Sequence, residues 1–226
     1  VLSRLTDPIV LRVIGNTMVL GLVVGAGGTI IGFLLAYAQA RLQFRGKKML
    51  HLISLLPVVS PPFAVATAFI TLFGRGGAIS NGIFGLQPNI YGLPGLSFVL
   101  IFSFFPVAYM NFLGMLRSLD PSLDEASADL GGSKWQTFWK VTVPMLMPFL
   151  LLFVEAIAGL ANPLVLGGNF TVLSTRAYIA INGEFNVGAA SAYSLILLAP
   201  ALLVFLIQRY WVGKKNVTTV TGKPSG

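Results

Sequence analysis

The chain has 226 residues, of which 55% are hydrophobic and 10% are charged, and its mean hydropathy is +0.83. Soluble globular domains carry about 25% charged residues, so this composition excludes an ordinary water-soluble domain and indicates a membrane protein. The formal net charge is +8, but the basic residues form short clusters between apolar stretches, which fits membrane topology better than nucleic-acid binding.

The first predicted membrane helix runs from about Val13 to Ala38 and contains no charged residue. About 20 apolar residues are enough for a helix to cross the roughly 30 Å of bilayer hydrocarbon. Small residues recur along this helix, and such a stripe lets a second helix approach closely, because helices in lipid associate through packing. The stripe consists of Gly28, Gly32, Ala36 and Ala40, with Gly21 and Gly25 in the same style.

The second predicted span, from about Leu50 to Phe73, contains Pro57, Pro61 and Pro62. Each proline removes an amide donor and disfavours helical backbone in the residue before it, so the span must be kinked or split. Backbone groups freed at membrane depth are tolerated only where protein or water satisfies them, so a broken helix belongs beside a cavity. Pro61 and Pro62 are therefore candidates for lining a translocation pathway, unless they only shape the span.

Three further spans are predicted, at about Leu96–Leu116, Met145–Leu166 and Ala189–Val212. Residues 74–95 are rich in turn formers and predict a loop with a short interfacial helix, and a polar loop is predicted to end at about Gly188. Residues 1–212 would thus form one transmembrane domain with five crossings. Residues 213–226 would be a polar tail or a linker to a second half.

Basic residues predict the orientation of the spans. With the first connecting loop placed in the cytoplasm, most of the fifteen Lys and Arg residues lie inside, as the positive-inside rule prefers. The N-terminus is then outside, which predicts a further helix upstream, and the segment 117–144 and the C-terminus are cytoplasmic. The inside residues are Arg41, Arg45, Lys47, Lys48, Arg117, Lys134, Lys140, Arg209, Lys214, Lys215 and Lys223.

The segment 117–144 is unusually acidic. Asp120 can cap a helix that begins at Pro121, and Gly131 can end that helix, since glycine tolerates the left-handed backbone of a helix C-terminus. A second short helix then leads to the fourth span. The product would be a cytoplasmic helix–turn–helix that offers an acidic helix to a partner, or else a solvated loop whose charges only keep it out of the bilayer. The acids within ten residues are Asp120, Asp124, Glu125 and Asp129.

This segment resembles the coupling motif of binding-protein-dependent ABC importer permeases. The motif reads E-A-A, three residues, G, nine residues, I-x-L-P, and the chain keeps that spacing with a serine for the second alanine and valines for isoleucine and leucine. The resemblance implies an all-α polytopic fold with the type I ABC importer permease architecture, whose cytoplasmic coupling helix docks on an ATPase. The implied coupling residues are Asp124, Glu125, Ala126, Ser127, Leu130 and Gly131.

Longer stretches, such as YGLPGLSFVLIFSFFPVAYM, are similar to the first half of the fused permeases of bacterial ferric-iron importers. The resemblance implies an inner-membrane permease that moves a small solute delivered by a periplasmic binding protein. Ferric iron is the first candidate for that solute. The resemblance also implies a second permease domain and ATP-binding cassette subunits that hold ATP and Mg²⁺. Thiamine, polyamines, sulfate and phosphonates are alternative solutes, and an ion-coupled secondary transporter is an alternative class.

The chain itself is not expected to be an enzyme or to hold a cofactor or metal. It has no Gly-x-x-x-x-Gly-Lys-Ser/Thr segment for ATP, no His-Glu-x-x-His motif, and no cysteine. His51, beside a basic loop, is expected to be an interfacial residue rather than a metal ligand. The scattered Tyr91, Tyr109 and Tyr178 are likewise expected at the interfaces, where tyrosine is common.

Glu155 lies near the middle of the fourth span, where an ionised side chain facing lipid would cost about 2.5 to 3.5 kcal/mol. It is therefore expected to face the protein interior. Gly159 and Asn162 follow at helical spacing, so the three residues are predicted to share one face. Asn162 and Pro163 are predicted to open the helix near its outer end. The shared face would line the translocation pathway or a gate toward the dimer axis, or Glu155 would instead make a buried hydrogen bond to another helix.

Overall fold

The computed structural model describes residues 7–118 and 143–212, and within these ranges the chain forms helices joined by turns. The predicted all-α class is therefore confirmed. The helices are α1 (Pro8–Arg41), α2 (Lys47–Val59), α3 (Pro62–Phe73), α4 (Leu93–Ser118), α5 (Val143–Ala158), α6 (Ala161–Leu166), α7 (Leu173–Asn182) and α8 (Val187–Ile207), which ends in a π-helical turn, Gln208–Val212.

Three helices of the described part, α1, α4 and α8, are long and apolar enough to cross a bilayer alone. The predicted break in the second span is confirmed, because α2 and α3 meet at an angle of 106° around Ser60 and Pro61. By length and composition, the bent pair passes the test for a membrane span only when its two helices are taken together, as one broken span or a re-entrant loop. The predicted fourth span is split, since α5 is short and α6 continues it only after a break at Gly159 and Leu160.

The small-residue stripe places α1 between two neighbouring helices. Later residues of α1 contact later residues of α4, so these two helices are parallel. Later residues of α1 contact earlier residues of α5, so α5 is antiparallel to α1. The two sides of the stripe meet different helices, which confirms the predicted close packing. The contacts of the stripe are Gly32 with Ala108 toward α4, and Gly21 with Ile157 and Gly25 with Phe149 toward α5. Gly27, beside the stripe, also meets Ile101 of α4.

These directions define two ends of the bundle. The ends of α1 and α4 and the beginnings of α2 and α5 lie at one end, here called the basic end. The opposite, distal end holds the beginnings of α1 and α4 and the end of α3. With the predicted orientation, the basic end is cytoplasmic. Its cations in the described part include Arg41, Arg45, Lys47, Lys48 and Arg117.

Two predictions about connecting segments are wrong. The predicted polar loop before Gly188 contains α7, whose buried Leu173 and Ala180 pack against the first turns of α1 and α8. A hydroxyl of α1 fixes the start of α7, since Thr17 Oγ1 accepts a hydrogen bond of 2.9 Å from the Leu173 amide. The predicted loop after α3 is confirmed as far as residue 92, but turns within residues 75–84 take the place of its predicted interfacial helix.

Candidate functional site

The predicted coupling residues lie outside the described residues. The structure describes the helices on either side of them: α4 ends at Ser118 and α5 begins at Val143, both at the basic end. Segment 119–142 therefore joins two helices at the end of the bundle that carries most of the described cations. The residues concerned are Asp124, Glu125, Ala126, Ser127, Leu130 and Gly131.

The break between α2 and α3 is exposed on this chain. Val59 is 86% exposed, and Pro61, which precedes the first residue of α3, is also exposed. Pro62 occupies the first helical position, where its missing amide leaves no hydrogen bond unmade. The bend thus lies on the surface of this chain and faces away from its core.

Glu155 is exposed on this chain, and no described residue donates a hydrogen bond or ion pair to its carboxylate. Glu155 is therefore not buried within this chain, and the predicted alternative of a buried hydrogen bond to another of its described helices is wrong. A position on a pathway face toward a dimer axis stays a prediction. Because an ionised carboxylate at membrane depth is costly in lipid, this face of α5 calls for a polar or protein neighbour from outside the chain.

The prediction that Gly159 and Asn162 share the Glu155 face is wrong. Helix α5 stops at Ala158, and Asn162 is only 4% exposed, within α6. The physical reason is Pro163, which has no amide hydrogen to donate to the Gly159 carbonyl one turn earlier. The Ser174 hydroxyl of α7 donates to that carbonyl instead, at 2.8 Å. The i, i+4, i+7 spacing therefore does not describe one continuous helix face.

A polar pair between α2 and α4 was not predicted. His51 Nδ1 lies 2.6 Å from the Tyr109 hydroxyl, and Tyr109 is fully buried, so the predicted interfacial position of this tyrosine is wrong. His51 itself is half-buried against the tyrosine ring. The pair ties the first half of the broken span to the helix that leads into segment 119–142. The two residues are far apart in sequence, so no local pattern could have found the pair.

Tyr109→Phe tests the importance of this pair, because it removes the hydroxyl and keeps the ring. We expect the purified protein to lose about 1 kcal/mol of stability, the typical contribution of one intramolecular hydrogen bond. Thermal unfolding in detergent measures the loss, and Tyr178→Phe, at an exposed tyrosine, is the control. Equal unfolding temperatures for the two variants would contradict a stabilising role.

Among the described residues, no group of three or more His, Asp or Glu side chains could hold a metal ion. The acidic residues of the described part are Asp7, Glu155 and Glu184, of which only Glu155 lies within a predicted membrane span. Of the predicted pathway residues, Pro61 and Glu155 are exposed on the described part of the chain, whereas Asn162 is buried. Pro61 and Glu155 thus lie on surfaces that this chain leaves open.

Comparisons with known proteins agree with this architecture. The family model described as "Binding-protein-dependent transport system inner membrane component" matches residues 28–216. The ferric transport system permease protein FbpB of Actinobacillus pleuropneumoniae is 35% identical over 225 residues, which cover 95% of this chain and 33% of that protein. The chain thus spans about a third of the length of this relative.

Two further matches are a second permease and a solved transporter structure. The probable sulfate transport system permease protein cysT of Prototheca wickerhamii is 29% identical over 217 residues, which cover 92% of this chain and 85% of that protein. A solved bacterial alginate ABC transporter, in complex with an alginate-bound periplasmic protein, contains a chain that is similar with a TM-score of 0.67. The identity is 20%, and the match covers 92% of this chain and 81% of that one, so the likeness concerns the fold.

Proposed function

The chain belongs to the family of binding-protein-dependent transport system inner membrane components, and on that premise we propose that it is a membrane domain of an ATP-driven importer. The observation that carries the proposal is the similarity to a ferric transport permease over 95% of this chain. In this role the domain moves a solute without changing it chemically. The energy comes from ATP hydrolysis by a partner.

The proposed solute is ferric iron, delivered from outside by a soluble binding protein. Hard cations prefer oxygen ligands, and Glu155 supplies the only carboxylate within the described membrane helices. Its exposure on this chain fits a position beside a pathway that a second permease domain completes. Pro61, at the exposed bend of the broken span, is proposed to border the same pathway.

The proposed partners occupy opposite ends of the bundle. ATP-binding cassette subunits, with ATP and Mg²⁺, would dock on segment 119–142 at the basic end, in the cytoplasm. The periplasmic binding protein would approach the distal end, where α1 begins. A second permease domain would pair with this one. The ferric permease relative is about three times as long as this chain, which leaves room for that domain in one polypeptide.

Glu155→Gln tests the pathway. The substitution keeps the size of the side chain and removes the charge, so we expect uptake of radioactive iron to fall at least about tenfold, equivalent to about 1.4 kcal/mol. Uptake is measured in cells that express the whole transporter, with the permease quantified in membranes. Glu184→Gln, at an exposed carboxylate outside the spans, is the control. Normal uptake by the Glu155 variant would remove this residue from the pathway.

Sulfate is the second candidate solute, because the sulfate permease relative is matched over 85% of its length. The carboxylate of Glu155 argues against it, since a dianion beside an ionised carboxylate is repelled. Parallel uptake of radioactive iron and radioactive sulfate by the same cells separates the two. Sulfate uptake that depends on this chain, without iron uptake, would overturn the iron assignment and leave the transporter class intact.

A further inference from the structure

An open cavity of about 480 Å³ lies at the distal end of the bundle. Three parts of the chain form it: the first turns of α1, the residues that precede α4, and the residues between α6 and α7. Five of the eight lining residues carry a polar group on the side chain, and the other three are one phenylalanine and two glycines. The side chains are Arg12, Asn16, Asn89, Tyr91, Asn169 and Phe170.

Hydrogen bonds between distant residues hold the walls of this cavity together. The Gly92 amide donates to the Leu166 carbonyl at 2.8 Å, and the Asn16 side-chain amide donates to the Thr171 carbonyl at 3.0 Å. Gly168 has a φ of +53°, which favours glycine, and a side chain there would come within 3.1 Å of the Tyr91 Cβ. The cavity is thus a defined part of the fold and not a gap between independent loops.

The cavity carries a positive charge that no described carboxylate balances. No described side chain makes an ion pair or hydrogen bond with the Arg12 guanidinium, and no acidic residue lines the cavity. The Asp7 carboxylate accepts a hydrogen bond from the Ile9 amide at the start of α1. Glu184 is paired with Arg176 at 2.7 Å.

Arg176 offers a contrast at the same end of the bundle. Burial acts to lower the pKa of its guanidinium, but interactions with Tyr193 and Glu184 prevail and raise that pKa above its ordinary value. Arg176 is therefore a charge that the fold has already paired. Arg12, beside three asparagine side chains and a tyrosine, has a charge available for a ligand.

We propose that the Arg12 cavity binds a small oxyanion, a carboxylate or phosphate group. A guanidinium binds such groups through two parallel hydrogen bonds, and the neighbouring amide and hydroxyl groups supply further donors. A bare ferric cation would be repelled by Arg12, so this site is separate from the cation route that we propose at Glu155. Resting on the proposed function, the oxyanion faces the outside. It is either a free anion or an acidic side chain of the soluble binding protein.

The test uses the permease purified with its ATPase in a phosphate-free detergent, which excludes lipid phosphate as the occupant. Inorganic phosphate and succinate are each titrated at constant ionic strength, and binding is followed by calorimetry. We expect saturable binding that Arg12→Gln weakens at least about tenfold, the range for a hydrogen bond to a charged group. Arg12→Lys keeps the positive charge but loses the two parallel N–H groups of the guanidinium, so its affinity for the anion should be intermediate. Arg75→Gln, at an exposed distal arginine that lines a neighbouring cavity sharing only Tyr91 with this one, should bind normally.

If neither phosphate nor succinate shows saturable binding, the affinity of the permease for the soluble binding protein is measured next. An Arg12→Gln loss of at least about tenfold, absent from Arg75→Gln, would identify a protein carboxylate as the oxyanion. Free-anion binding that Arg12→Gln leaves unchanged would overturn the proposal. The proposal would also be overturned if no free anion binds and if the Arg12→Gln and Arg75→Gln variants have equal affinity for the binding protein. The copurified ATPase reports on the transporter class separately, so a failed anion site leaves that class standing.

Discussion

Replacing Gly131 with leucine is expected to reduce solute uptake at least about a hundredfold, equivalent to about 2.7 kcal/mol, with little change in the amount of permease in the membrane. The expectation rests on the sequence motif that resembles the coupling segment of ABC importer permeases. A glycine at the end of a helix lets the chain reverse through the left-handed backbone region, which leucine enters only at a cost. A wrongly directed coupling helix would no longer fit a groove on the ATPase.

Copurification of the ATPase with the tagged permease measures this coupling directly. Gly114→Leu is the matched control, because Gly114 lies in α4 near the basic end and has open space where a side chain would be added. We expect the ATPase to be lost from the Gly131 variant and retained by the Gly114 variant. Equal retention by both variants would contradict the assignment of segment 119–142 as the ATPase contact.

The long apolar helices could be predicted from the sequence because hydropathy and length alone decide whether a helix can span a bilayer. α1, α4 and α8 correspond to uninterrupted apolar runs and match their predicted positions within a few residues. Their ends depend on local chemistry instead. α1 begins at Pro8, before the apolar run, because the Asp7 side chain accepts the Ile9 amide and caps the helix. The stripe of small residues could also be predicted, because it is a regular spacing within a single helix.

The start of α7, the break after α5 and the exposure of Glu155 depend instead on contacts between residues distant in sequence. α7 is weakly apolar, and its start is fixed by Thr17 of α1, so its own residues predict only a polar loop. The break at Gly159 becomes stable because Ser174 satisfies the carbonyl that Pro163 leaves free. The exposure of Glu155 likewise depends on which helices pack around α5. The sequence predicted an opening at Asn162 and Pro163, and the tertiary hydrogen bond to the Gly159 carbonyl accompanies a break that comes earlier, at Gly159 and Leu160.

The contact between α1 and α4 leads to the largest expected loss of stability. A Cβ added at Gly32 would lie 2.6 Å from the Ala108 Cβ and 2.8 Å from the Tyr109 amide nitrogen. Backbone atoms cannot move aside as a flexible side chain can, so Gly32→Val must push the two helices apart. Overpacking in a tight core costs about 1 to 3 kcal/mol, and we expect the upper part of that range because Tyr109 also holds His51.

Gly15→Val separates this packing effect from the general effect of valine in a helix. Gly15 lies in the same helix as Gly32, but apart from its chain neighbours and the adjacent backbone of α1, no atom lies within 4 Å of the position that its side chain would occupy. Both substitutions therefore change the intrinsic helix preference equally, while only the Gly32 variant forces α4 away from α1. Thermal unfolding in detergent should show a lower transition temperature for Gly32→Val than for Gly15→Val. Equal transition temperatures would mean that α1 and α4 can separate without loss, and the tight helix contact would then not stabilise the fold.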